Sequence, residues 1–484
     1  ELQAYTLTPN AKGKYKKYKV KEFKEKDVLG GAIFHDDTKE INFYFSNIKQ
    51  GSKIIHSYSS QEKEPRFLNG FFFESYHPIH LAKFIINAPK TVTIGYKYFN
   101  ISEEDLIFNK SENDKGIITY TWTKKNIPAL KYEKQAPNPR YYMPHIIPYI
   151  KDYTINGEKK RLLTDVTDLY NWYYSLTENI NQKKDSTLKS IADSVTANAT
   201  TESEKVKNIF YWVQDNIKYV AFEAGLGGFI PREATYICEK RYGDCKDMAS
   251  IITTMLKMVG IKSYLTWIGS NHIPYDYNLP TPAVDNHMIA TYINKNGKHY
   301  FLDATGQHTP FGYPTSFIQG KEALIGKGKN DFEIVKVPTI KASQNKYSDK
   351  VVLEIVNGKV IGKGIADFSG YQKINMTQKL SSINETEKKE YLNSFFTKGH
   401  NKFLLDNQSN KFLNDRDQNF VMNYAFNIQD YARINEDEIY INLNLDKNFS
   451  NDFIEKDRQN IIQKKFHGTF YHENILKIPE GYYV

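Results

Sequence analysis

Gly243-Asp244-Cys245-Lys246-Asp247 is the stretch of sequence that decides the fold, because it joins a glycine-containing loop to the start of an apolar helix. The apolar residues after it repeat at a spacing of three and four, which predicts a buried helix: Met248, Ile251, Ile252, Met255, Leu256 and Val259. Asp244 is placed to cap this helix, and Gly260 is placed to end it. Cys245 would then lie at a helix N-terminus, where unpaired backbone N–H groups stabilise a thiolate.

Helices and one long loop precede this stretch. Apolar periodicity predicts helices over Asp168–Ser175, Ser186–Val195 and Glu202–Ile217. Thr201 and Glu204 have the spacing of a capping box at the start of the third helix. The loop Ala221–Tyr242 is rich in glycine and longer than most connections inside a compact domain. We therefore expect this loop to be functional or to form a lid.

A predicted β-hairpin follows the cysteine helix and carries two polar residues. His287 begins its first strand, Asp303 follows its second strand, and the turn lies at Lys295–Lys298. A two-residue turn, Asn296-Gly297, would put His287 and Asp303 on opposite faces, whereas a three-residue loop puts them diagonally on one face. We therefore predict a three- or five-residue loop, or a bulge, with Gly297 in the left-handed conformation.

Cys245, His287 and Asp303 have the chemistry of a nucleophile, a base and a residue that orients the base. Cys238, the only other cysteine, fits a structural core position. The alternative histidines are His272, His299 and His308. Cysteine, histidine and aspartate also bind zinc, but the chain has no CxxC, HxxxH or HExxH spacing.

The composition is that of a multidomain globular protein. A chain of 484 residues is too long for one core, and its 40% hydrophobic content excludes a disordered chain. The net charge of +9 comes from scattered lysines without a basic helix or a stacking motif, so we do not expect nucleic-acid binding. Two cysteines exclude a disulfide framework, and no apolar run is long enough for a transmembrane segment.

The pattern along the chain changes from β to α/β and back to β, which we divide into domains at residues 1–160, 161–327 and 328–484. The predicted strands are Ile41–Phe45, Leu81–Ile86, Val92–Tyr98, Gly116–Trp122, Ser263–Gly269, Met288–Ile293, His299–Leu302, Val351–Val356, Lys359–Ala366, Asn419–Phe426 and Glu438–Leu443. Asn357-Gly358 is a hairpin signal, and Asn375–Phe396 is one amphipathic stretch. The proline-rich passage from Pro137 to Pro148 is expected to leave the first domain.

Four segments resemble the bacterial transglutaminase-like superfamily, whose core is papain-like: Tyr242–Ala249, Gly260-Ile261, Asn286-His287 and Leu302–Thr305. The resemblance is closest to a multidomain branch in which an N-terminal β domain of unknown function precedes the core. Three further segments look like that branch: Pro128–Leu130, Phe222-Glu223 and Phe229–Pro231. The resemblance implies an α+β multidomain fold with an N-terminal β-sandwich-like domain, a papain-like or transglutaminase-like α+β core, and a C-terminal β-rich domain.

The resemblance also implies a cysteine enzyme that attacks amide or peptide carbonyls through a thioester. Cys245 would be the nucleophile, His287 the general base and acid, and Asp303 the residue that orients the imidazole. The backbone N–H of Cys245 would be one oxyanion donor, and Tyr219 is preferred over Trp212 as the second. No metal and no cofactor are implied. Hydrolysis is favoured over cross-linking, because water is always available as the acceptor.

The expected partner is a protein or peptide substrate, including a component of the cell envelope. Related bacterial proteins of this layout are commonly exported, so we expect a periplasmic or cell-surface location. The chain starts at Glu1 without a methionine, which agrees with removal of a signal peptide. Two alternatives stay open: a non-catalytic binding or scaffold protein that retains the core, and a structural zinc protein that uses Cys245.

Overall fold

The computed structural model describes residues 2–27, 33–35, 39–183, 185–222, 225–450 and 452–484, and it describes no side chains at 33–35 and 222. Glu223, which belongs to one of the segments with a family resemblance, lies outside the described residues. The chain folds as an α+β protein, as the sequence predicted, with β structure on both sides of a central region that holds most of the helices.

Antiparallel β-sheets make up most of the N-terminal region. Its strands are β1 (Leu2–Pro9), β2 (Tyr15–Lys19), β3 (Lys24–Asp27), β4 (Ile33–His35), β5 (Lys39–Asn42), β6 (Lys53–Tyr58), β7 (Phe71–Phe72), β8 (Ile79–Pro89), β9 (Val92–Phe99), β10 (Ile107–Glu112), β11 (Ile117–Ile127), β12 (His145–Ile155) and β13 (Glu158–Arg161). The sheet β10-β11-β8 packs against a sheet in which β9 pairs with β12. Trp122 lies fully buried between them, in ring contact with Phe84 on its own sheet and Tyr96 on the other. The two layers form a small sandwich.

The proline-rich passage that was expected to leave the first domain ends in β12, where Ile147 and Tyr149 pack into the core of the central region. Pro148 lies inside β12, opposite Tyr96 of β9. Proline has no N–H and is tolerated in a strand only where one edge is unpaired. β7 pairs only with the start of β12 and β13 only with its end, so the middle of β12 has β9 as its one neighbour.

The central region combines five helices with a five-stranded antiparallel sheet of order β19-β18-β17-β20-β21. Its helices are α1 (Val166–Thr177), α2 (Ser186–Thr196), α3 (Glu202–Asn216), α4 (Ala234–Lys240) and α5 (Cys245–Met258). Its strands are β14 (Lys218–Tyr219), β15 (Ala221–Phe222), β16 (Tyr242–Gly243), β17 (Ser263–Ile268), β18 (His287–Ile293), β19 (His299–Leu302), β20 (Glu322–Gly328) and β21 (Asp331–Lys336). Helix α5 packs against β17 and β18, and Met248, Ile252 and Met255 are buried in the main core. Each such side chain contributes about 1.5–3 kcal/mol through burial.

The long loop predicted at Ala221–Tyr242 contains a helix, so this prediction is wrong in part. Helix α4 starts after Pro231, and its residues Ala234, Ile237 and Cys238 are buried. These residues are three and four positions apart along the chain, counted from Ala234, so they lie on one face of the helix. Three residues are too few for this periodicity to be recognised in the sequence. The part of the loop that lies beside the cysteine keeps its irregular form, with a single 3₁₀ turn at Gly225–Gly228.

A second five-stranded sheet, with two helices, forms the C-terminal region. Its elements are β22 (Lys346–Val356), β23 (Lys359–Phe368), α6 (Gly370–Ser381), α7 (Glu385–Phe395), β24 (Phe403–Lys411), β25 (Phe420–Ile428), β26 (Arg433–Asn435), β27 (Glu438–Tyr440) and β28 (Thr469–Leu476), and the sheet order is β24-β25-β23-β22-β28. Asn357 and Gly358 both have positive φ, +50° and +74°, which confirms the predicted hairpin. The predicted amphipathic stretch is divided in two, because Asn384 caps a new helix.

The C-terminal region contacts the central region through a charged seam. Asp417 accepts hydrogen bonds from Lys207 at 2.9 Å and from the hydroxyl of Tyr211 at 2.6 Å, and Arg416 pairs with Asp215. The division into three domains stays a prediction, and β21 indicates that the second boundary lies beyond residue 327. Among the helices of the described residues, none combines the length and the apolar character that crossing a bilayer needs.

Candidate active site

Cys245 is the first residue of α5, as the sequence predicted. Asp244 caps the helix, and a reciprocal hydrogen bond joins its backbone N–H to the carboxylate of Asp247 at 3.0 Å. Gly243 is required before the cap, because a Cβ there would lie 2.7 Å from the Cβ of Asp247. The backbone path into the helix is therefore closely determined, and it fixes the direction in which Cys245 projects.

Two ion pairs neutralise the acidic residues of this turn. Asp247 is fully buried and accepts hydrogen bonds from the backbone N–H of Arg232 at 2.8 Å and from its Nε at 2.9 Å. Lys246 is also buried and pairs with Asp244. A buried charge is tolerated when it is paired and hydrogen-bonded, so these four residues hold the turn that carries the thiol.

The hairpin β18–β19 has the register that the sequence analysis predicted. Its loop has three residues, Lys295–Gly297, and Gly297 adopts the left-handed conformation with φ +75°. This register places Asp303, just beyond β19, diagonally across from His287 at the start of β18. The Nε2 atom of His287 lies 3.0 Å from Oδ2 of Asp303.

Asp303 is buried behind His287 and is held as a carboxylate. The hydroxyl of Thr305 donates to its Oδ1 at 2.6 Å, and the hydroxyl of Thr315 donates to its Oδ2. Burial raises the pKa of Asp303, but the attraction of His287 and these hydrogen bonds outweigh it and hold the pKa below its ordinary value. Asp303 is therefore ionised at neutral pH and fixes both the orientation and the charge of the imidazole.

His287 also interacts with Cys245. Burial lowers the pKa of His287, but the attraction of Asp303 and Cys245 and the hydrogen bonds to both raise it to about 10. The imidazole is therefore stable in its protonated form between a carboxylate and a sulfur. This is the arrangement that a cysteine nucleophile and a histidine base require.

A cavity of about 420 Å³ opens in front of these groups. Cys245 and His287 both line this cavity, and Cys245 is partly exposed. Asp303 is not among the lining residues. A concave site of this volume, with a few polar groups and aromatic walls, is typical of substrate pockets.

Of the two candidates for a side-chain oxyanion donor, the structure brings Tyr219 to the cavity. Strand β14 runs parallel to β16, which pairs Tyr219 with Gly243, and Tyr219 lines the cavity with Cys245. Trp212 instead stacks under the guanidinium of Arg241 at 5.1 Å and is not among the lining residues. The donor role of Tyr219 stays a prediction.

The competing residues lie away from this cavity. Cys238 is buried in α4, and burial raises the pKa of its thiol, as a structural core position requires. The alternative histidines are likewise not among the residues that line the cavity: His272, His299 and His308. Within the described ranges, no group of three potential metal ligands includes Cys245.

Two further lining residues, Trp267 and Asp285, received no role from the sequence. Asp285 lies two residues before His287 and has an extended backbone. Trp267 lies opposite Met288 in the sheet. The burial of Asp285 against Tyr173 of α1 was not visible in the sequence.

Replacing Gly306 by alanine is expected to lower the free energy of unfolding by about 1–3 kcal/mol. A Cβ at Gly306 would lie 2.5 Å from Cγ2 of Thr315 and 2.6 Å from Oγ1 of Thr309. Because Thr315 donates to Asp303, the substitution should also disturb the Asp303 carboxylate. Denaturant unfolding checks this, with Gly227→Ala as the control, since nothing lies within 4 Å of a Cβ there. Equal stability of both variants would contradict the expected clash.

Comparison with family models confirms the resemblance. Residues 189–304 match the transglutaminase-like superfamily, and residues 2–131 match a domain of unknown function, DUF3857. The chain therefore combines a transglutaminase-like core with this N-terminal domain. No curated protein sequence matches the chain.

Two crystal structures show similarity to this chain. One, from Parabacteroides distasonis and provisionally described as a protease, has 14% identity and a TM-score of 0.51, and the alignment covers 89% of this chain and 83% of that one. At this identity the likeness concerns the fold alone. The other, from Cytophaga hutchinsonii and provisionally described as a cysteine protease, has 13% identity and a TM-score of 0.21 over 49% of this chain and 75% of that one. That second likeness is too distant to support an argument.

Proposed function

We propose that this chain, with its transglutaminase-like core, is a cysteine enzyme that attacks amide or peptide carbonyls through a thioester. Cys245 is the nucleophile, His287 the general base and acid, and Asp303 the residue that orients the imidazole. The observation that carries this proposal is the buried His287–Asp303 pair, 3.0 Å apart, beside a thiol that lines a cavity. The charge on His287 is set by its neighbours as this chemistry needs.

In the first half of the reaction, the thiolate of Cys245 attacks the carbonyl carbon and the C=O electron pair moves to oxygen. The backbone N–H of Cys245 and the side chain of Tyr219 stabilise the oxyanion. The C–N bond then breaks, and the imidazolium of His287 gives its proton to the leaving amine. The product of this half is a thioester between Cys245 and the acyl group.

In the second half, His287 takes a proton from the acceptor, which attacks the thioester carbonyl and releases the thiolate. Water as the acceptor gives hydrolysis, and an amine gives a new amide. We infer that hydrolysis dominates, because the cavity communicates with solvent and water needs no second binding site. The substrate is a protein or peptide, including cell-envelope components met after export, as the family resemblance suggests.

Iodoacetamide should alkylate Cys245 about 10–100 times faster than Cys238 at neutral pH. The reason is that Cys245 lies at a helix N-terminus beside His287, whereas burial raises the pKa of Cys238. Replacing His287 by alanine should remove most of this preference, since the positive charge beside the sulfur is lost. Mass spectrometry of the two cysteine-containing peptides over time measures both rates.

Two results would separate the enzyme from a non-catalytic protein that keeps the same core. Alkylation of Cys245 no faster than that of a small free thiol would contradict the proposal. An unchanged rate of Cys245 alkylation in His287→Ala would also contradict the proposal. His272→Ala is the matched control, because His272 is exposed and lies outside the cavity.

A further inference from the structure

Asp285 is a buried carboxylate in the wall of the same cavity. Only 8% of the residue is exposed, and two buried tyrosines bind it. The hydroxyl of Tyr173 donates to it at 2.9 Å, and the hydroxyl of Tyr277 donates to its Oδ2 at 3.0 Å. An ionised carboxylate offers about four acceptor positions, so two hydroxyl protons leave part of this capacity open.

The charge of Asp285 is not matched by any cation among the described residues. The other buried carboxylates of this site have such partners: Asp244 has Lys246, Asp247 has Arg232 and Asp303 has His287. Asp285 forms no ion pair within the part of the chain that the structure describes. Burying an unpaired charge costs several kcal/mol and marks a site where a ligand can supply the missing charge.

The position of Asp285 relative to the reacting groups is set by the backbone. Asp285 is extended, with φ −138° and ψ 162°, and Asn286 between it and His287 turns its side chain toward the backbone N–H of Ser270. Asp285, His287 and Cys245 all line the same cavity.

Aromatic side chains complete this part of the wall. Trp267 and Phe229 line the cavity with Asp285, and Tyr173 stacks on Trp267 with ring centroids 5.1 Å apart. A carboxylate framed by aromatic faces is suited to a cation, because the ring faces add cation–π attraction to the ion pair. Burial raises the pKa of Asp285, and the hydrogen bonds from both tyrosines lower it, so that the resulting pKa is about 7. A bound cation would stabilise the ionised form of this carboxylate.

We propose that Asp285, Trp267 and Phe229 form a subsite that binds a primary ammonium group of the substrate. The inference rests on the proposed function and adds a substrate class to it. The ammonium has two chemical sources. It is either the free N-terminus of the peptide that donates the acyl group or an alkylammonium that accepts it. The acceptor would give one proton to Asp285 and a second to His287 as its nitrogen attacks the thioester and releases the thiolate.

Three small thiol reagents that differ in charge test the subsite: the 2-aminoethyl, methyl and 2-sulfonatoethyl methanethiosulfonates. The wild-type protein should react at Cys245 fastest with the aminoethyl reagent and slowest with the sulfonatoethyl reagent. In Asp285→Asn the ratio of the aminoethyl to the methyl rate should fall about tenfold, because the attracting charge is gone. Asp276→Asn is the matched control, since Asp276 is exposed on the same loop and should leave the ratio unchanged.

The comparison of the three reagents in the wild-type protein needs no variant. The test therefore remains valid even if Asp285→Asn does not fold. No preference for the cationic reagent, or a preference that persists in folded Asp285→Asn, would overturn the subsite. Slow reaction of Cys245 with all three reagents, with the preference intact, would instead contradict the proposed enzyme and leave the subsite supported. Absolute rate and rate ratio thus report on the two proposals separately.

Two substrate pairs distinguish the sources of the ammonium. Glycyl-phenylalanine 4-nitroanilide is compared with its N-acetyl form, and monodansylcadaverine is offered as an acceptor with dimethylcasein as the donor. A lower KM for the free N-terminus that is lost in Asp285→Asn assigns the subsite to the acyl donor. A KM for monodansylcadaverine that rises in Asp285→Asn assigns it to the acceptor. If Asp285→Asn moves neither KM, the ammonium does not belong to the substrate and the proposal fails.

Discussion

Replacing Asp303 by asparagine is expected to slow cysteine-dependent amide turnover by about 10²–10⁴-fold. Asparagine keeps the shape of the side chain but removes the charge that faces Nε2 of His287 at 3.0 Å. Its amide group can donate a hydrogen to Nε2, which leaves the proton of a neutral imidazole on Nδ1. The nitrogen that must accept a proton from the nucleophile would then already carry one.

The same substitution should change the pH dependence of alkylation. Burial lowers the pKa of His287, and Asp303 is the largest contribution that raises it to about 10. Without that carboxylate the imidazolium loses its proton at lower pH, so the charge that stabilises the thiolate of Cys245 disappears inside the neutral range. The rate of iodoacetamide alkylation between pH 6 and about 9 should then resemble that of an ordinary thiol.

Asp331→Asn is the control for this prediction, because Asp331 is an exposed carboxylate on the same sheet. It should leave turnover and the alkylation profile unchanged. Wild-type turnover in Asp303→Asn would show that Thr305, Thr315 and the packing around His287 suffice to orient the ring. The proposed role of Asp303 would then be wrong.

Local sequence signals predicted the parts of the site that short-range geometry controls. The capping box at Thr201 and the cap at Asp244 needed only the spacing of hydrogen-bonding side chains. The requirement that His287 and Asp303 share a face predicted a three- or five-residue loop, or a bulge, and the three-residue loop Lys295–Gly297 is one of these. Each of these features depends on residues that are close in sequence or joined by one hairpin.

The features that sequence reasoning missed depend on partners far along the chain. Asp285 is recognised as a buried carboxylate only in the folded protein, where Tyr173 of α1 packs against it and donates a hydrogen bond. The strand β12 was not predicted, because it contains Pro148, which is tolerated there since only β9 pairs with that part of the strand. Helix α4 is defined by the core into which Ile237 packs. Tertiary packing decided each of these three cases.

A buried charge cluster in the C-terminal region carries the second large expected effect. Lys398 is 1% exposed, and its Nζ lies 2.7 Å from Asp349 and 2.5 Å from Asp446. Tyr424 donates to Asp349 at 2.8 Å, and Nδ1 of His472 lies 3.2 Å from Asp446. The two carboxylates and the histidine are close enough together to bind a metal ion, but the ammonium of Lys398 already occupies the position between the carboxylates.

Replacing Lys398 by methionine is expected to destabilise the C-terminal region by about 3–5 kcal/mol at neutral pH, because it leaves two carboxylates without their cation. Burial raises the pKa of Asp446, but its hydrogen bond with His472 and the attraction of Lys398 lower it to about 2. Since this pKa lies below the ordinary value of 3.8, the stabilisation is complete above about pH 4 and is lost as the pH falls toward 2. The difference between wild type and variant should therefore shrink over that range.

Hydrogen exchange of the amides in β22 and β25 measures this effect in the intact chain, where a single melting temperature would mix several domains. Lys350→Met is the matched control, because Lys350 lies on β22 and its ion pair with Glu473 is exposed, so exchange should change little. Equal protection in Lys398→Met and wild type at pH 7 would contradict the prediction. It would mean that the site accommodates the two carboxylates at little cost once the ammonium is gone. In that case the cluster would be held by Tyr424 and packing, and the buried ion pair would contribute nothing net to stability.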